Sequence, residues 1–298
     1  FEIGMNHSGE IKRLVKVLQP QTAIILNVEN VHLGNFKSLK EIAFAKSEIF
    51  TSTKSVENLI INRNSNFYKL LYAIFKKTKI STCLDIGKVK SSKVYLKKEI
   101  NIANIIKYQV ILPDASKLDF TLRKNQKNLI FNALAILTCF YMLGLNLKLI
   151  NQFKNVPFTE GRGKILKSKY KGNKLEVHDH SYNASPVSMR DTIDIFNKFK
   201  NRHLVYVIGD MNELGNKSEK FHIDLIKYLI LIKAKKVIFV GSKLFSLRKR
   251  YNRLQFEYYE NIDSVISNAE KIFNRNSKVF LKGSNSINLR KLSNHLIS

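Results

Sequence analysis

Beyond residue 163 the chain keeps a single rhythm, short apolar runs alternating with stretches of helical period. Leu175–His180, Leu204–Gly209, Lys236–Gly241 and Lys278–Lys282 read as buried strands, and helices are predicted near Pro186–Phe199, Glu219–Leu231, Ile262–Phe273 and Asn288–Ile297. Strand–helix–strand repetition closes by right-handed crossovers, so this half must fold as a mainly parallel, doubly wound α/β sheet.

The first half is less regular. Ile11, Leu14, Val15 and Leu18 stand at i, i+3, i+4 and i+7, one amphipathic helix closed by Pro20. Ala23–Val28 follows as a buried-type strand, and Ser38 opens SLKE, a capping box for a helix running to about Phe50. Val56–Asn62 reads as a strand and Phe67–Lys76 as a helix, while Ile80–Pro113 breaks into strand-like pieces that suggest a small antiparallel subsheet. A long helix over Asn125–Leu143 closes this half. In Val156–Gly163 (VPFTEGRG) a proline and two glycines interrupt the periodicity, which predicts two domains, residues 1–157 and 158–298.

Leu129–Leu147 carries no charge and approaches the length of a membrane span. Asn132, Thr138, Gly144 and Asn146 interrupt it, and a helix apolar all round is also what the centre of an α/β sandwich buries. A core helix, and no transmembrane segment, is expected. The two cysteines, Cys83 and Cys139, are too few for a disulfide scaffold or a cysteine zinc site, so a reducing cytoplasm is the simplest compartment. Lys and Arg number 51 against 23 acids, a net charge of +28. Those lysines are spread along a chain poor in Gly, Pro and Trp, the bias of AT-rich coding. Nucleic acid is therefore not the expected partner, and small anionic substrates fit the charge equally well.

One charge stands out. Leu39, Ile42, Ala43 and Phe50 define the apolar face of the Ser38–Phe50 helix, and Lys46 falls on that face. An inward lysine snorkels, pairs with an acid or does chemistry. Around it lie AKSEIF (Ala45–Phe50), EIGMNHSGEI (Glu2–Ile11) and NVENVHL (Asn27–Leu33). Further along come NLIFNAL (Asn128–Leu134), GRG (Gly161–Gly163), HDHSYNASPVSM (His178–Met189), GDMNELG (Gly209–Gly215) and LKGSNS (Leu281–Ser286). With these blocks in this order, the chain resembles the Mur ligases of peptidoglycan synthesis across nearly its whole length. NHSGEI, SYNASP and GDMNELG point to the branch that adds D-alanyl-D-alanine.

The resemblance implies a partial central ATPase domain followed by a Rossmann-like C-terminal domain with a mainly parallel sheet. It also implies ATP- and magnesium-dependent joining of D-alanyl-D-alanine to UDP-MurNAc-tripeptide through an acyl phosphate, in the cytoplasm. Lys46 matches the lysine that the family carbamylates, a reaction that needs the neutral amine which burial favours. Glu2 and His32 match the other magnesium-site positions, and His32 alone would otherwise be an exposed loop histidine. Asn128 and Asn132, i and i+4 on one helix face, match the adenine-side asparagines, although capping or packing accounts for either in isolation. Lys127 stands where the family usually has His. Arg162 matches an arginine that reaches ATP phosphates, its alternative being a solvated linker residue. Asp179 begins the block usually written Asp-Asp-Ser-Tyr-Asn-Ala, with His180 in place of the second acid, and is matched to a nucleotide contact. Tyr182, Asn183, Asp210 and Glu213 fall at strand ends suited to substrate. For Asp210 and Glu213 the alternative is a turn that shapes the cleft, and Lys282 and Ser284 are similarly placed.

No G-x-x-x-x-G-K-[ST] stretch occurs; EGRGK and GDMNELGNKS both miss the spacing. The first residue is Phe1 rather than Met, with no basic-then-apolar leader, so the chain reads as cut from something longer. Three readings follow: a ligase active only with a complementary N-terminal piece, an inactive remnant, or a basic anion- or nucleic-acid-binding protein.

Overall fold

The structure, a computed structural model, describes residues 1–29, 35–156, 160–199 and 203–297. These fall into two compact units, residues 1–29 with 35–156 and residues 160–297.

The first unit runs α1 (Glu10–Leu18), β1 (Thr22–Ile25), α2 (Leu39–Thr51), β2 (Asn58–Asn62), α3 (Tyr68–Phe75), β3 (Thr82–Gly87), β4 (Val94–Ile102), β5 (Ile105–Ile111), β6 (Lys117–Arg123) and α4 (Ile130–Met142). Its six strands lie in chain order in one sheet. β1 to β4 are mutually parallel, with β3 and β4 meeting over two residue pairs, and β4, β5 and β6 are antiparallel. The antiparallel subsheet is thus real but begins one strand later than the sequence suggested. β3 ends in three buried residues, Asp85–Gly87, the burial of a parallel strand covered on both faces. β6 escaped the sequence reading although Phe120 and Leu122 alternate inward with polar neighbours.

Local chemistry sets the helices. The Ser38 hydroxyl accepts the Glu41 amide, capping α2, while the Glu41 carboxylate takes the Lys37 amide instead of completing the reciprocal box at Ser38. The apolar segment that raised the membrane question is α4. It is preceded by a 3-10 stretch, Lys124–Leu129, and buries Ala133, Leu134, Ala135, Leu137 and Thr138 against the strands. Among the described residues no helix is long and apolar enough to cross a membrane.

The second unit runs β7 (Lys164–Tyr170), β8 (Asn173–His180), α5 (Pro186–Asn197), β9 (Leu204–Gly209), α6 (Ser218–Leu231), β10 (Val237–Val240), α7 (Ser242–Ser246), β11 (Phe256–Tyr259), α8 (Ile262–Ser267), α9 (Ala269–Ile272), β12 (Ser277–Lys282) and α10 (Leu289–Ile297). Its sheet has the order β11-β10-β9-β12-β8-β7, parallel throughout except for the β7–β8 hairpin. Alternate residues feed two cores. Tyr206, Ile208, Phe239 and Phe280 pack under α5 and α6, while Val205, Val207, Val279 and Leu281 pack under α8, α9 and α10. Both faces are covered, which is why these strands read as unbroken apolar runs. The sequence did not reveal β7, whose lysine-rich face stays exposed at the sheet edge, nor the four-residue β11.

Candidate functional site

The predicted residues that the structure describes are divided between the two units. In the first, α2 carries Lys46 half-buried between Ala45 and Ser47. Burial pushes its ammonium below the usual lysine range, while the charges of Glu2 and Glu29 pull the other way. Glu48, two residues along the same helix, ties the motif blocks together. Its carboxylate accepts the amides of Gly9 at 2.8 Å and Lys12 at 3.0 Å and the Ser8 hydroxyl at 3.2 Å, capping α1 from α2. Glu10 folds back onto the Asn6 amide at 2.7 Å. NHSGE and AKSEIF are thus the two halves of one junction, and that junction holds the segment bearing Glu2 near Lys46. Glu29 stands in the NVENVHL block, and an acid placed just beyond the apolar β1 run is the sequence signal for it.

Carboxylates from two chain segments bearing on one lysine are hard oxygen donors, the kind a magnesium ion takes. The predicted ligand His32 lies outside the described residues. Among those that are described, no cluster of three His, Cys, Asp or Glu could hold a metal on its own.

Asn128 and Asn132 do not share one α-helix. Asn128 lies in the 3-10 stretch and Asn132 sits in the first turn of α4, both exposed, so the i, i+4 argument for one continuous helical face does not apply. Lys127 reaches back to Glu99 on β4 at 2.6 Å.

The second region is the carboxyl edge of β8, β9 and β12. Gly161 and Gly163 adopt φ of +71° and +101°, and a Cβ on Gly161 would stand 2.7 Å from the Tyr182 nitrogen. This close approach lets the Tyr182 amide donate to Gly161 O at 3.0 Å and the Gly163 amide donate to Asp179 O at 2.7 Å. The GRG spacing is therefore a backbone requirement. It places the Arg162 guanidinium 4.0 Å from the Tyr182 ring centroid, a stacked cation–π pair. Both side chains are exposed, Tyr182 at 49%. Arg162 is thus held against an aromatic face rather than solvated as a loose linker residue.

Four of the predicted contacts have structural surroundings of their own. Asp210 is 2% exposed, and its two carboxylate oxygens accept the amides of Lys243 at 3.0 Å and Leu244 at 2.9 Å at the start of α7. A buried carboxylate placed on these backbone donors caps α7 and shapes the cleft. Asp179 is 3% exposed and accepts the Ser181 amide, closing the turn after β8 rather than standing on the open rim. Glu213 is exposed with φ of +62°. Asn183 is exposed, its side chain accepting the Ala184 amide and its carbonyl accepting Lys282 Nζ.

His222, fully buried, went unread in the sequence. Its Nε2 accepts the Met211 amide and its Nδ1 donates to Ser218 O, which fixes the neutral tautomer and anchors the GDMNELG turn. Burial keeps its pKa below the ordinary histidine value.

The profile of the Mur ligase middle domain matches residues 1–140, and that of the Mur ligase glutamate ligase domain matches residues 161–285. The chain belongs to the Mur ligase family. The UDP-N-acetylmuramoyl-tripeptide–D-alanyl-D-alanine ligase of Rickettsia prowazekii is 30% identical over 98% of this chain and 64% of its own length. The ligase of the same name from Borreliella burgdorferi is 28% identical over 99% of this chain and 62% of its own length. Among solved structures, MurF from Acinetobacter baumannii superposes with a TM-score of 0.81 at 24% identity, over 99% of this chain and 64% of that one. MurF from Thermotoga maritima, in complex with ADP, superposes at 0.73 and 20% identity, over 97% and 64%. The chain thus spans less than two thirds of the length of these relatives.

Proposed function

We propose that this chain supplies the middle and C-terminal domains, residues 1–157 and 158–298, of an ATP-dependent ligase that joins D-alanyl-D-alanine to UDP-MurNAc-tripeptide in the cytoplasm. In that reaction the terminal carboxylate of the tripeptide takes the γ-phosphoryl group of ATP and ADP leaves. The dipeptide amine then attacks the acyl carbon, phosphate is expelled, and the amine loses a proton. Chemistry of this kind depends on positioning and charge neutralisation.

The observation that carries the reading is Lys46, drawn into α2 with a lowered pKa and facing Glu2 and Glu29. The neutral amine that burial favours can add to carbon dioxide, releasing a proton and leaving a carbamate. Glu2, His32 and the carbamylated Lys46 would then hold magnesium, which when bound neutralises phosphate oxygens. Asn128, Asn132 and Arg162 are exposed side chains available to nucleotide, and Tyr182 and Asn183 form an exposed rim for the amine substrate. Asp179 closes the turn that leads into that rim, Asp210 shapes the neighbouring strand end, and the exposed Glu213 is a further substrate contact in this reading.

The test is phosphate release from ATP with magnesium, UDP-MurNAc-tripeptide and D-alanyl-D-alanine, with and without a separately expressed N-terminal piece carrying a P-loop. Turnover only in the mixture, abolished by Lys46→Ala, is the expected result. No turnover with both pieces folded would sink the ligase reading and leave a remnant. A carbamate carbon signal from ¹³C-bicarbonate in wild type, absent in Lys46→Arg, tests the modification directly.

A further inference from the structure

Strand β12 ends on Lys282, which is 6% exposed. An ammonium carries three N–H donors. Among the described residues one acceptor is in reach, the Asn183 carbonyl at 2.9 Å, and no carboxylate forms an ion pair with it. The residue directly paired with it on β8 is another base, His180, whose ring packs on Phe280. Burial alone pushes Lys282 down to about 8, so the cation still predominates at pH 7, while His180, pushed down to about 3, is neutral there.

A buried charge with no counter-charge keeps the desolvation penalty of the ion without the attraction that would offset it. Elsewhere in this sheet the same problem is solved internally: Lys278, two residues earlier on β12, is paired with Glu176. Lys282 has no such partner, and it lies at the carboxyl edge, where open α/β sheets receive ligands. Directly above it runs the exposed Tyr182–Asn183 segment, whose backbone it holds.

We propose that Lys282 is the counter-charge for a small oxyanion brought by a ligand that binds on the Tyr182–Asn183 segment. The identity of that oxyanion rests on the ligase reading, which brings two: the carboxylate of the incoming dipeptide and the phosphates of the nucleotide.

Calorimetric titration of the 298-residue chain with D-alanyl-D-alanine, with its C-terminal amide and with ADP separates the two sources. Binding of the dipeptide but not of its amide assigns the carboxylate, and binding of ADP alone assigns the phosphate. Lys282→Met, which keeps the apolar stem, is expected to weaken that binding about thirtyfold or more, the scale of removing one side of a buried charge pair. His180→Asp supplies an internal partner. It is expected to raise the melting temperature and, by neutralising Lys282, to weaken the same ligand. A wild-type chain that binds neither anion, or a stabilised His180→Asp variant that binds unchanged, overturns the proposal. Because binding is read without turnover, a failed ligation assay leaves this result standing, and the converse also holds.

Discussion

Replacing Asp210 separates a structural carboxylate from a substrate contact. Its two oxygens accept two amides at 3.0 and 2.9 Å, and the residue is 2% exposed. Hydrogen bonds to a charged group contribute about 1.5–3 kcal/mol each. Asp210→Ala removes both and orphans two donors, so a loss of about 3–6 kcal/mol is expected. Asp210→Asn keeps one acceptor and turns an NH₂ toward the other amide, a loss of about 2–3 kcal/mol. Against a domain stability of about 5–15 kcal/mol, the alanine variant is severely compromised and the asparagine variant still folds. Gly241 belongs to the same unit, because a Cβ there would stand 2.4 Å from the Asp210 carboxyl carbon. Gly241→Ala should therefore cost stability as well, and the double variant should lose less than the sum. Urea unfolding followed by circular dichroism measures all four proteins, and hydrogen exchange assigns the loss to the second unit. An Asp210→Asn protein within about 0.5 kcal/mol of wild type, yet defective in binding dipeptide or nucleotide, would refute the structural assignment and restore Asp210 to the substrate.

Gly161→Ala forces a side chain into φ of +71° and against the Tyr182 nitrogen; about 1–3 kcal/mol of strain is expected, read as a lower melting temperature and as loss of the Arg162–Tyr182 stack by NMR. Burial holds His178, His180 and His222 below the ordinary 6.5, His180 at about 3. At these three histidines the unfolded chain therefore binds more protons than the folded one below pH 6.5, so the stability they contribute is full above that pH and is lost as pH drops toward 3. His180→Gln should flatten that slope in urea titrations at stepped pH, and an unchanged slope would refute His180 as a contributor. The Lys127–Glu99 pair is largely exposed on the lysine side; Lys127→Ala should change stability by no more than about 1 kcal/mol, with salt erasing the difference.

Much of this protein is legible in order along the chain. Periodicity located α1 and the strand–helix alternation of the second unit, because each repeats a burial pattern that local sequence must satisfy. The Ser38 cap and Pro20 stop are equally local. Motif blocks located Lys46, Arg162 and the strand-end turns. Elements without a strong local signature escaped: β7 is an edge strand with a lysine-rich outer face, and β11 has four residues. Which way β3 ran, and that Asn128 lies in a 3-10 stretch, depended on neighbours distant in sequence.

Side-chain roles divided on the same principle. In sequence an acid in GDMNELG fits either a substrate contact or a turn that shapes the cleft. Only the β9–β10 pairing and the position of α7 bring two amides onto Asp210. Glu48 caps α1 only because α1 packs beside α2 and presents its open amides. Lys282 and His180 lie 102 positions apart by number and become ladder partners only through β8–β12. Residue type states what a group can do. Desolvation and the partners that share it decide what the group does, and both are properties of the packed fold.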